Sequence, residues 1–185
     1  MKQSIKHLLK TKGGIKLDIG CGGNKQGPDW VGIDYRPIEG HVDIIQDLEE
    51  FPWKALPDEC AVVAVASHVV EHINPTKGIF INFMSEVWRT LKYDGEFAIV
   101  TPYAGSPGYW QDPSHCNGCT QITWEYFDPL GPKTGGQLYG IYEPAPWKIK
   151  PGTLSLSKEG NLSVVLIKRR DDPAYHADRK IHYGN

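Results

Sequence analysis

No apolar run in this chain approaches the roughly 20 residues that a membrane-spanning helix requires, so no membrane partner is expected. Lysine and arginine never gather into a long block. The 20 basic residues are set against 22 acidic ones, for a formal net charge of −2, and overall charge therefore draws the chain to no polyanion. Nucleic acid is not favoured as a partner. Cysteine is sparse: four residues, with Cys21 and Cys60 beside apolar strand-like runs, do not make a disulfide framework. The first 12 residues hold four lysines and one Leu8-Leu9 pair, without the apolar centre of a secretory signal. A reducing cytoplasmic setting is the expectation.

What is present is enough apolar residue for one core. At 185 residues and 40% hydrophobic, the chain fits one domain, expected over residues 1–170, with 171–185 as a polar tail. After a short leading helix at 4–10, strand-like runs fall at 15–19, 30–34 and 42–46, each ending in or beside an acidic residue. Residues 60–66, Cys-Ala-Val-Val-Ala-Val-Ala, are nearly all apolar, as in a central strand covered on both faces. Ile79, Phe80, Phe83, Met84, Val87, Trp88 and Leu91 recur at helical spacing within 76–91, and Asp94-Gly95 is expected to stop that helix. A further strand fits 96–101, completing a parallel crossover unit. Residues 103–146 form a long insert rich in glycine, proline and aromatics, with one short helix at 120–127, and inserts of this length usually carry function. Residues 153–157 and 162–169 read as a β-hairpin.

Lys16-Leu17-Asp18-Ile19-Gly20-Cys21-Gly22-Gly23 sets an acid near a strand end and then glycines where the chain turns sharply beside a ligand. In an open α/β sheet ligands lie beyond the carboxyl ends of the strands, so Asp18, Asp34, Asp47 and Ser67 are expected to line one crevice. The dinucleotide fingerprint is missing, because the last glycine of G-x-G-x-x-G, counted from Gly20, falls on Lys25.

Leu17-Asp-Ile-Gly-Cys-Gly22, Gly32-Ile-Asp34, Asp47-Leu48, Ser67-His-Val-Val-Glu-His72 and Leu91-Lys-Tyr-Asp-Gly-Glu96, in that order, resemble the motifs of class I S-adenosylmethionine-dependent methyltransferases. The segment Gln111-Asp112-Pro113-Ser114-His115, followed by Trp124-Glu-Tyr-Phe127, is similar to that of the type 11 group. The resemblance covers roughly residues 15–128. It implies an α/β, Rossmann-like, mostly parallel sheet of about seven strands, with helices on both faces and a C-terminal β-hairpin. It also implies S-adenosylmethionine as the methyl donor. Asp18 and the Gly20, Cys21 and Gly22 backbone would hold its methionine part, Asp34 its ribose hydroxyls and Asp47 its adenine amino group, with Tyr35 and Leu48 beside the ring and Ser67 and His68 lining the site. One departure is that Pro28 and Asp29 stand where the usual first helix would be finishing.

Within the insert, read as an acceptor-side lid, Asp112 and His115 are the acid–base candidates, together with His72. Equally, Asp112 can cap a turn and His115 fasten the loop. The aromatics Tyr103, Tyr109, Trp110, Trp124, Tyr126 and Phe127 either face a cationic sulfonium or pack the lid. His68-Val-Val-Glu71-His72 also matches the H-x-x-E-H pattern of a zinc hydrolase, although Pro75 limits any helix there to one turn. Cys116-Asn-Gly-Cys119 has half the spacing of a zinc site but lacks a second pair. No metal ligand set is therefore assigned. The Asn/Asp-Pro-Pro-Tyr signature of amino-directed nucleic-acid methylation is missing after residue 66, where Ser67-His68 stands instead. The expected acceptor is a small or glycan-like molecule, with a metal-dependent hydrolase using His68, Glu71 and His72, or a non-catalytic donor-binding module, as the alternatives.

Overall fold

A computed structural model describes residues 13–131, 142 and 144–169. The leading helix expected at 4–10, the tail at 171–185 and part of the insert lie outside these residues. Eight strands form one sheet: β1 (Ile15–Ile19), β2 (Trp30–Asp34), β3 (Ile44–Ile45), β4 (Ala61–Ser67), β5 (Leu91–Pro102), β6 (Trp147–Ile149), β7 (Ser155–Leu156) and β8 (Asn161–Lys168). Their order is β3-β2-β1-β4-β5-β8-β6, with β7 paired to β8 off that path. Strands β1 to β5 run parallel, and β8 lies antiparallel to β5, β6 and β7. The chain winds outward from β1 to β3 and then returns to β4 on the other side of β1. That reversal opens a crevice beyond the carboxyl ends of β1 and β4.

One face of the sheet is built from Ile15, Leu17, Ile19, Ala64, Ala66, Phe97, Ile99, Val164 and Leu166, all buried. Helix α1 (Ile79–Thr90) covers it, because Phe80, Phe83, Met84 and Val87 fall at i, i+3, i+4 and i+7 and are buried together. Phe83 reaches Phe97 at 6.4 Å between ring centroids. Two shorter helices, α2 (Pro107–Trp110) and α3 (Gln121–Glu125), follow in the insert, and Trp124 of α3 packs edge-on against Phe80.

The opposite face carries Lys16, Val63, Val65, Ala98, Val100, Val165 and Ile167, which are only half-buried. The resemblance implies helices here too, but among the described residues none lies between β1, β2, β3 and β4. For the first two links chain length explains this: 10 residues join β1 to β2 and nine join β2 to β3, whereas a parallel crossover through a helix takes about a dozen or more.

Helix α1 ends at Thr90, earlier than Asp94-Gly95 suggested, and the chain enters β5 at once. Asp94 sits at φ 62° inside an irregularity of the ladder, so that Leu91 pairs with Ala61 while Glu96 pairs with Val63. The expected hairpin forms between β7 and β8, and β8 gains a further antiparallel partner that the pattern did not indicate, Trp147–Ile149 in β6.

Lys168 closes β8 with its side chain 2% exposed. Its Nζ donates to Leu91 O at 2.8 Å, lies 4.0 Å from the Trp88 ring centroid and 4.7 Å from that of Tyr93, and faces Glu59 Oε1 at 3.5 Å. Burial pushes its pKa down, against the pull of Glu59. Lys168→Ala strips the Leu91 carbonyl of its partner and empties the aromatic cage. It is expected to cost about 2–3 kcal/mol, read as a lower urea midpoint, with Lys168→Met recovering part through its apolar stem.

Candidate active site

The turn after β1 is shaped by close backbone approach. Gly20 has φ 65°, and a Cβ there would stand 2.5 Å from Val69 Cγ2. Gly20 N and Cys21 N both donate to Ile33 O, at 2.7 and 3.2 Å, and Gly22 N donates to Asp34 Oδ2 at 3.0 Å. The amides of Gly20, Cys21 and Gly22 are thus spent within the protein, the Cys21 carbonyl accepts from Asn24 N at 3.1 Å, and Gly20 gives the cleft a Cβ-free surface. Asp18 accepts from Gln26 N at 2.7 Å and fastens the loop to its own strand; burial raises its pKa against the hydrogen bond from Gln26 and the charge of Lys25. Cys21 packs against His41 O at 3.6 Å with its thiol pushed up to about 11 by burial, which makes it an inert core group.

Beyond the carboxyl ends of β1 to β4 lies a cleft of about 590 Å³, within the size range of small-ligand sites. Gly20, Asp34, Tyr35, Asp47, Leu48, His68 and His72 line it, and each was singled out from the sequence. Asp18, Cys21, Gly22, Ser67, Asp112 and His115 are not among its lining residues. Arg36, Glu49, Val69, Ile73 and Ser114 line it as well. Ser114, inside the Asp112-Pro-Ser-His segment, and Val69, inside the Ser67–His72 motif, lay in segments that carried a sequence signal, whereas Arg36, Glu49 and Ile73 did not.

Asp34 is 3% exposed. Besides the Gly22 amide, its carboxylate accepts from Arg36 N at 2.9 Å, Arg36 Nε at 3.1 Å and Arg36 Nη2 at 3.4 Å. Burial raises its pKa, but the hydrogen bonds from Arg36 and Gly22 outweigh that and hold it below the usual carboxylate range. It is a committed anion. The Arg36 side chain is half exposed and lies across it from the cleft side.

On the other rim the insert is clamped to the turn after β4. Cys116 N and Asn117 N donate to Glu71 O at 2.9 and 3.0 Å, and Asn117 Nδ2 donates to Val70 O at 2.9 Å. The expected hydrolase geometry is not formed: Val70–His72 is a single 3₁₀ turn, and His68 precedes it with φ 55°. The two histidines of H-x-x-E-H therefore do not share an α-helical face. The fully buried Glu71 instead accepts from Thr101 Oγ1 through Oε2 at 3.0 Å.

His115 lies against His72, with ring centroids 4.8 Å apart. Its Nδ1 is 2.6 Å from Tyr109 O. A carbonyl only accepts, so Nδ1 carries a proton; Nε2 is a lone pair when the ring is neutral, and it lies 3.9 Å from Asp112 Oδ2. Asp112 accepts from both Ser114 N at 2.8 Å and Ser114 Oγ at 2.6 Å, which lowers its pKa. With its hydroxyl hydrogen given to Asp112, Ser114 Oγ accepts from His72 Nδ1, 3.2 Å away. His72 Nε2 is thereby also left as a lone pair. Asp112 caps the turn and orients His72 through Ser114.

Trp124 and Phe127 are fully buried core groups, Tyr109 is buried against His115, and Trp110 stands 75% exposed; among the described residues none of the insert's aromatics lines the cleft. Tyr126 and Phe127 instead line a second cavity of about 840 Å³ beside the start of α1. All four cysteines are free, and burial pushes the Cys119 thiol up to about 12, which argues against a redox pair with Cys116.

This fold is that of class I methyltransferases. A SAM-dependent methyltransferase from Archaeoglobus fulgidus matches with a TM-score of 0.56 at 20% identity, over 88% of this chain and 90% of that one. A 16S rRNA (adenine(1408)-N(1))-methyltransferase from Catenulisporales acidiphilia, in its W203A form, matches with a TM-score of 0.56 at 15% identity, over 90% of each chain. A proposed type 11 methyltransferase from Sulfolobus solfataricus matches with a TM-score of 0.52 at 16% identity, again over 90% of each. No family model matches the chain, and no curated protein matches it.

Proposed function

We propose that this protein is an S-adenosylmethionine-dependent methyltransferase acting on a small or glycan-like acceptor. The observation that carries this reading is the convergence of Gly20, Asp34, Asp47 and His68, from four successive strand ends, on one cleft at the point where the sheet order reverses.

The residues fit the donor. Asp34 and Asp47 are acceptors for a ribose diol and an adenine amino group, Leu48, Val69 and Ile73 offer apolar walls to a base, and the carbonyls of the Gly20 turn suit an ammonium group. Once bound, the donor supplies an electrophilic methyl on a sulfonium. The chain's own task is then to position the acceptor and to take its proton where it has one. His72 and His115, with Nε2 lone pairs fixed by Ser114 and Tyr109, suit that proton, and Asp112 acts as the anchor that sets His72. Residues 103–146 form the acceptor-side lid in this reading.

Arg36 occupies the carboxylate that the ribose needs, so donor binding includes breaking that pair. Arg36→Ala is therefore expected to tighten donor affinity by about threefold to fivefold, corresponding to an exposed ion pair of up to about 1 kcal/mol, in a calorimetric titration.

The absence of any basic block and the net charge of −2 favour a neutral acceptor over RNA. Labelled methyl donor offered with fractionated small-molecule, glycan and total RNA pools tests this. Label entering a small-molecule or glycan pool is expected; label confined to RNA overturns the acceptor class, and none in any pool favours the non-catalytic donor-binding module.

A further inference from the structure

We infer that Glu71, His72 and His115 form a binding site for one divalent transition-metal ion at the acceptor-side rim of the cleft. One ligand atom from each lies within 4.8 Å of the others. Proximity alone is weak, because acids and histidines often meet without a metal. Three further features of this cluster point to a ligand.

The first is the state of the nitrogens. Each imidazole donates Nδ1–H to an oxygen, His115 to Tyr109 O and His72 to Ser114 Oγ, so in the neutral rings the lone pairs fall on Nε2, with Asp112 Oδ2 3.9 Å from that of His115. Metal-bound histidines are ordinarily oriented in this way, by a carbonyl or carboxylate on the far nitrogen, and Asp112 behind Ser114 extends the arrangement around His72.

The second is Glu71. Its side chain is 0% exposed, one oxygen is fixed by Thr101, and Oε1 has no hydrogen-bond partner. His68 Nδ1 lies 3.3 Å away without the alignment of a hydrogen bond. A buried carboxylate oxygen left unpaired costs free energy, and a cation removes that cost.

The third is room where closure is needed. Zinc bonds to nitrogen and oxygen of about 2.0–2.2 Å require the three ligand atoms to draw together. Glu71 and His115 are held by Thr101 and Tyr109, and His72, exposed at the edge of the cleft with Ser114 as its partner, is the ligand with space to shift toward them. Two imidazoles and one carboxylate select zinc, cobalt(II) or iron(II) over magnesium, which prefers oxygen donors. The set differs from the H-x-x-E-H pattern: His68 is replaced by His115, which arrives from the insert.

The test uses the full-length protein stripped with a chelator, then titrated with zinc by calorimetry and with cobalt(II) by visible absorption. One equivalent of zinc and a cobalt d–d band are expected, with magnesium silent. His72→Ala, a change at an exposed position, and His115→Ala should each weaken zinc binding at least about tenfold, and Ser114→Ala about 10- to 100-fold as an orienting partner. Cys116→Ser should leave binding unchanged. The inference is overturned by the lack of a one-to-one zinc isotherm, by wild-type affinity in both His72→Ala and His115→Ala, or by loss of binding in Cys116→Ser, which would move the metal to the thiols. None of these readouts depends on methyl transfer; a metal held on both Nε2 atoms would occupy the lone pairs that the proposed mechanism uses for the proton, so the two occupancies exclude each other.

Discussion

His115→Ala is expected to lower turnover by about 10²- to 10⁴-fold while leaving donor affinity within about twofold. In the proposed mechanism His115 Nε2 is a lone pair held ready by the Nδ1–H bond to Tyr109 O, and removing a proton acceptor raises the barrier by about 3–5 kcal/mol. The donor contacts lie on the other rim, at Asp34 and Asp47, which is why affinity is spared. A merely structural His115 behaves differently. The ring packs against Tyr109 and His72, so losing an anchor would loosen residues 103–119 and raise their sensitivity to protease. His115→Gln distinguishes the two: an amide can still bond Tyr109 O, but it takes no proton at neutral pH, so the loop should stay protected while turnover stays low.

Asp34→Ala should weaken donor binding by tenfold or more, since each charge-assisted bond lost to a ribose hydroxyl is worth roughly 1.5–3 kcal/mol. The companion measurement is a double-mutant cycle with Arg36. In the wild-type background removal of Arg36 tightens binding, because the carboxylate is released; in the Asp34→Ala background there is nothing to release, and removal of Arg36 should have no effect. Such non-additivity is the signature of two groups competing for one partner. Wild-type affinity in Asp34→Ala would remove the ribose role altogether.

Much of the sheet was legible because its strands are short apolar runs with strong punctuation. Residues 15–19 and 30–34 stand where the alternation placed them. The third strand shrank to Ile44–Ile45 because Asp43 turns to accept from Gly32 N and Lys25 Nζ, contacts across sequence that periodicity cannot register. Asp94-Gly95 was correctly a backbone irregularity but marks a distortion within β5 rather than the end of a helix. Strand β6 was missed because its three residues follow a proline-rich stretch and pair only through β8.

The candidate site divides in the same way. Gly20, Asp34, Asp47 and His68 were visible because a parallel sheet delivers strand ends to one edge, so position along the chain predicts position in space. Arg36 was hidden because its side chain folds back on a residue two positions earlier, and Ser114, though within a recognised segment, gave no sign of its contact with His72, 42 residues away in sequence. The histidine–glutamate pattern misled because its spacing presumes an α-helix, whereas the chain makes only the 3₁₀ turn Val70–His72 before Asn74 and Pro75.

The account turns on what enters the cleft beyond β1 and β4. Calorimetry of the purified protein against S-adenosylhomocysteine and, separately, NAD addresses this directly. The demethylated donor is expected to bind with one-to-one stoichiometry and NAD to give no heat of binding, because the glycine turn has neither the G-x-G-x-x-G spacing nor a following helix to receive a pyrophosphate. A saturable NAD isotherm with no response to S-adenosylhomocysteine would contradict it.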